Sequence, residues 1–137
     1  MDSSDKDLFN EIDRIFKDHQ RGSPKNQLMD WIGNSDILKF IVNSDMTHPR
    51  KDFILELIVL SKNLIYTFSA FLNENIYGTI PIKSISSVTV SINKDEIIDF
   101  QIIMDSGLTF RMHLLYKNWD QVISFKSEIQ NLLENIR

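Results

Sequence analysis

Between residues 53 and 115, apolar and polar residues alternate in six short runs bounded by turn-forming residues, and from Trp119 onward apolar residues recur at steps of three and four. A period of two lines one face of a strand, whereas a period of about 3.6 lines one face of a helix. Phe53, Leu55, Leu57 and Val59 form the first run; the opposite face carries Glu56, but Ile54, Ile58 and Leu60 make it partly apolar. Ser61-Lys62-Asn63 then turns the chain into Leu64, Tyr66, Phe68 and Ala70, which predicts a hairpin. Residues 72 to 75 break the pattern and residues 76 to 82 resume it, with Pro81 confining that run to an edge or a strand end. Three further runs are carried by Val88, Val90 and Ile92; by Ile98, Phe100, Ile102 and Met104; and by Leu108, Phe110, Met112 and Leu114. Arg111 and His113 fall on the opposite face of the last run.

The closing helix is specified by Val122, Phe125, Ile129, Leu132, Leu133 and Ile136, and Asn118 with Gln121 resembles a capping box at its start. Leu8, Phe9, Ile12, Ile15 and Phe16 predict a first helix over residues 5 to 19. Ser4 is its expected N-cap, Asp5 and Asp7 suit the positive end of its dipole, and Gly22 is the expected left-handed terminator before Pro24. Pro24 also suits the first position of a second helix carrying Leu28, Trp31 and Ile32 and ended by Gly33-Asn34. Residues 36 to 42 fit both periods, and residues 43 to 52 read as an exposed connection.

Strands followed by one amphipathic helix predict an α+β fold, because neither layer can bury its apolar face alone. A chain of 137 residues, 42% apolar and 25% charged, is ordinary for one globular unit. No apolar run approaches the roughly 18 residues of a membrane-spanning helix. The net charge of -4 opposes broad attraction to nucleic acid or to anionic membranes. The absence of cysteine removes thiolate chemistry, and with the polar, acidic N-terminus it points to a cytoplasmic protein. Abundant Lys, Asn, Ile and Ser with scarce Ala, Gly and Pro give the composition of an AT-rich genome.

Residues 60 to 66, Leu-Ser-Lys-Asn-Leu-Ile-Tyr, and residues 80 to 88, Ile-Pro-Ile-Lys-Ser-Ile-Ser-Ser-Val, resemble segments of the pleckstrin-homology superfold, especially the small bacterial PH-like and GRAM domains. The resemblance covers residues 53 to 137, with Ser61 where the family usually has Thr, and leaves residues 1 to 52 as an N-terminal helical extension packing on the sheet. It implies a bent antiparallel sheet or partly open barrel of six to seven strands, closed by the C-terminal helix. It also implies a module that binds lipid headgroups, peptides or proteins, and PH-like domains can form symmetric rings.

Catalytic and metal signatures are lacking in the sequence. His19, His48 and His113 have no metal-ligand spacing, no nucleophile elbow surrounds any serine, and the four glycines are too dispersed for a phosphate-cradling loop. The expectation is therefore a non-enzymatic module without cofactor or metal, recruiting a peptide or protein through a sheet edge or groove. Alternatives are a homo-oligomeric scaffold and a binder of anionic lipid headgroups. Arg50, Lys51 and Lys62 are the candidate ligand or lipid contacts. Trp31, Phe40, Phe71 and Tyr77, which lie at element ends or outside the clearest periodic stripes, are the candidate partner contacts. Strand addition at the edge near residues 76 to 82 is the favoured mode, provided the N-terminal helices leave that edge open.

Overall fold

A computed structural model describes residues 3–33, 35–45 and 47–136, and the side chains of residues 3–5, the charge of Asp5 among them, lie outside that description; the first helix already includes Ser3, so Ser4 lies within it and is not the expected N-cap. Helices α1 (Ser3–Asp18) and α2 (Lys25–Ile32) precede seven strands: β1 (Lys39–Asn43), β2 (Phe53–Leu60), β3 (Leu64–Phe71), β4 (Asn75–Pro81), β5 (Ile85–Ile92), β6 (Ile97–Met104) and β7 (Thr109–Leu115). Helix α3 (Trp119–Ile136) follows, and short 3-10 turns occupy Ile82–Ser84 and Tyr116–Asn118. The fold is α+β, with the strands in two antiparallel sheets of order β1-β2-β3-β4 and β5-β6-β7.

Among the described residues, neither sheet closes into a barrel. The chain leaves β4 through the 3-10 turn at Ile82–Ser84 and enters β5 without pairing the two strands. At the other seam, side chains take the place of a backbone ladder: Asn43 and Thr47 both donate to the main-chain carbonyl of His113.

The ambiguous residues 36 to 42 resolve in favour of a strand, because β1 pairs along β2 and turns Ile41 into the interior. Every residue of β2 is buried, since its sheet is covered on both faces. Leu55, Leu57 and Val59, with Tyr66, Phe68 and Ala70 of β3, pack under Leu8, Phe9, Ile12, Ile15 and Phe16 of α1 and Leu28 and Ile32 of α2. On the other face, Ile58 and Leu60 join Ile41, Ile65 and Ile80. These meet Ile98, Phe100, Ile102, Met112 and Leu114 of the second sheet and Val122, Phe125, Ile129 and Leu133 of α3. The face marked by Glu56, which alternation suggested was the more polar one, is thus the face toward the second sheet, and Glu56 is only 5% exposed.

Two further local expectations change. The left-handed residue that terminates α1 is Gln20 (φ 56°), two positions past Asp18, and not Gly22. Arg21 N donates to Phe16 O at 3.0 Å and Gln20 N to Lys17 O at 2.9 Å, the paired bonds of a Schellman cap. Pro24 occupies the N-cap of α2 and not its first helical position, while the Ser23 hydroxyl accepts the Lys25 amide at 3.2 Å. Gly33 ends α2 as expected, with φ 66° and its amide on Met29 O.

Candidate functional site

Strand β4 is an edge strand of the first sheet, and most of its residues are exposed. Ile82 N donates to Asn63 O at 2.9 Å and Phe71 N to Glu74 O at 2.8 Å, which fixes the alternation of the β3–β4 ladder. Residues 76, 78 and 80 direct their N–H and C=O groups toward β3, and Asn75, Tyr77 and Thr79 direct theirs away. No described strand pairs with that outer side, so the edge stays open, as the peptide-recruiting reading requires. Pro81, which has no N–H, closes the row of donors.

The strand Asn-Ile-Tyr-Gly-Thr-Ile-Pro carries no charged residue, and Ile76 (49% exposed) and Tyr77 (41% exposed) show apolar surface on its two faces. A hollow of about 520 Å³ lies at the Pro81 end, lined by Asn63, Leu64, Pro81, Ile82, Lys83 and Ile136. Elsewhere, α3 packs against β1 and β5, and the β7 edge carries the Asn43 and Thr47 clasp.

Of the four candidate partner contacts, Trp31 and Tyr77 come together. The Trp31 indole of α2 stands edge-on to Tyr77 at 5.0 Å and to Tyr66 at 5.1 Å, and Phe68 lies 5.0 Å from Tyr77. This cluster fixes the Tyr77 side chain beside the open backbone. Phe40 shares the outer face but sits on β1, at the opposite edge of the sheet. Phe71 is buried, with Phe53 and His48 against it and the Arg50 guanidinium 3.7 Å over its ring.

The three candidate cations are divided between the ends of β2: Arg50 and Lys51 precede it and Lys62 follows it, roughly 25 Å away along an eight-residue strand. Arg50 is also matched by acids, with bonds to Asp52 at 2.8 and 3.0 Å and a further bond to Glu74. These hydrogen bonds raise the Arg50 pKa and lower that of Asp52. A different group emerges at the Lys62 end, where register brings Lys39 opposite Leu60 and Lys83 just past Pro81. Lys39, Lys62 and Lys83 are exposed and in no ion pair among the described residues. Reading along the chain missed this grouping because it depends on strand register.

Among the described residues, Glu56 is the one strongly perturbed acid. It lies between Asn43 and Ser69 in a polar row on the inner face of the first sheet. Burial pushes its carboxyl up to about 7, only partly opposed by the Asn43 amide, whose hydrogens go to Thr47 Oγ1 and His113 O. Its sequence signal was a lone carboxylate inside an otherwise apolar run. His48 is lowered, chiefly by burial and then by Arg50 and His113. The described residues contain no group of three His, Cys, Asp or Glu placed to hold a metal ion, and no described helix is long and apolar enough to cross a membrane.

No model of a known protein family matches this chain, and no curated protein matches it either.

Proposed function

We propose that this chain is a non-enzymatic, PH-like interaction module that takes up an extended segment of a protein or peptide partner along β4. The observation that carries this reading is the row of outward-facing backbone groups on Asn75, Tyr77 and Thr79, bounded by the Trp31 and Tyr77 aromatics and by the hollow at Pro81. Main-chain pairing would supply affinity, and the side-chain surfaces on either face of β4 would supply selectivity. The order of four strands, three strands and a closing helix supports the resemblance carried by residues 60 to 66 and 80 to 88. Binding of multiply charged lipid headgroups has weaker support, because Arg50 is held by Asp52 and Glu74 while Lys62 lies at the far end of β2.

The test is selection of phage-displayed random peptides on chains tethered singly at low surface density, followed by amide hydrogen exchange of the complex. Selected peptides should slow exchange at Asn75, Tyr77 and Thr79. Failure to select any peptide, or protection confined to other strands, would remove the reading.

A further inference from the structure

We infer that the β4 edge takes a second copy of this chain, in an antiparallel two-fold pairing centred on Tyr77. This rests on the reading of β4 as the interaction edge and names its occupant.

An uncharged, exposed edge strand is a template for pairing, and native edges are ordinarily protected by charge, proline, a bulge or a cover. Between Asn75 and Thr79, β4 has none of these on its outer side. Only outward-facing residues can pair, so a two-fold axis must bring odd-numbered residues opposite one another. With Tyr77 facing its own counterpart, Asn75 faces the second copy's Thr79 and Thr79 faces its Asn75. All three N–H and all three C=O groups of each strand are then used, giving six hydrogen bonds. Centring the axis on Gly78 would also give six bonds, but it would place Asn75 opposite Pro81, leave the Asn75 carbonyl without a donor, and set Ile76 against Ile80 in place of Gly78.

The flanking side chains fit the same register. Ile76 falls opposite the second copy's Gly78, so the protruding chain meets a position with none. The hairpin tip at residues 72 to 74 reaches the Pro81 end of the second copy. There, Leu72, 52% exposed, comes beside the hollow lined by Leu64, Pro81, Ile82 and Ile136. Glu74, which also binds Arg50 of its own copy, comes opposite Ile80 and toward Lys83, so acid and base lie near one another at both ends of the pairing. Shape, apolar surface and charge are thus complementary between two copies of one strand, as an isologous interface demands.

Sedimentation equilibrium over a wide concentration range tests this. The wild-type chain should reach twice its monomer mass. Thr79→Pro removes one outward N–H per copy without touching the β3 ladder, and it should raise the dissociation constant roughly thirtyfold. Leu72→Asp lies on an exposed turn, where unfolding is not at issue, and should weaken the dimer similarly. Lys83→Glu should weaken it, and adding Glu74→Lys should restore it. A wild-type chain that stays monomeric throughout, or a dimer indifferent to both Thr79→Pro and Leu72→Asp, overturns the inference. Peptides still selected on singly tethered chains would then show the edge reading surviving without self-pairing.

Discussion

Asn43 Nδ2 donates to the main-chain carbonyl of His113 at 3.0 Å, so the last residue of β1 holds the outer edge of β7. That carbonyl faces away from β6, because Met104 N bonded to Leu108 O sets an alternation in which Phe110, Met112 and Leu114 point their backbone groups inward. Side chains thereby join two sheets that share no ladder along this seam. Asn43 is 1% exposed, and removing its amide would leave a buried contact partly unmade. Asn43→Ala should lower stability by about 1–3 kcal/mol in urea denaturation; a change within error would mean Thr47 alone holds the seam.

Glu56 should make stability fall as pH rises. Its folded pKa of about 7 lies above the ordinary 4.5. Below the lower value the carboxyl is protonated in both states and its contribution is fully present. Between the two values the unfolded chain ionises first, so stability declines, and above about 7 the loss is complete at about 3 kcal/mol. Asp52, lowered chiefly by its hydrogen bond to Arg50, acts in the opposite sense at more acidic pH. The useful quantity is therefore the difference between wild type and Glu56→Gln. That difference should grow from pH 4.5 to 7, with the variant the more stable at pH 8; parallel pH curves would refute the assignment.

Gly78 is fixed by its neighbour. A Cβ built there would lie 2.6 Å from Thr67 Oγ1, closer than ordinary contacts allow. Gly78→Ala should cost about 1–3 kcal/mol. Thr67→Ala removes the obstructing oxygen, so the double variant should lose less than the two single losses combined. Strict additivity in denaturant melts would show that the glycine is required for another reason.

The helices α1 and α2 form one wall of a core, burying Leu55, Leu57, Val59 and Phe68. A chain lacking residues 1 to 35 would present that whole sheet face to water. It should aggregate or bind a hydrophobic dye, with no cooperative melt. A truncated chain that melts sharply with a native circular dichroism spectrum would show that residues 36 to 137 suffice.

The periodic signals made most elements legible, since Leu64 to Ala70 and Val122 to Leu133 each obey one period, and the buried residues of α3 fall on one face. The strand at Lys39–Asn43 stayed ambiguous because a five-residue run fits both periods, and only pairing with β2 decides it. Gln20 displaced Gly22 as the end of α1 because the cap follows where the last helical bonds close, not which nearby residue tolerates a positive φ most easily. At the candidate site, the contact of Trp31 with Tyr77 and the placement of Lys39, Lys62 and Lys83 at one end of the sheet are products of register and helix docking, neither of which a linear pattern encodes. Glu56 was visible as an interruption of an apolar run, but its burial depends on the second sheet and α3 covering that face.

Strand β2 belongs to both hydrophobic clusters, one through Leu57 and the other through Ile58, adjacent residues pointing opposite ways. Neither cluster can melt while the other stays intact without tearing this strand from one set of neighbours. The two halves of the molecule are therefore coupled into a single cooperative unit. The amide protons of β2 should exchange with solvent only through global unfolding, at rates that report the free energy of the whole chain.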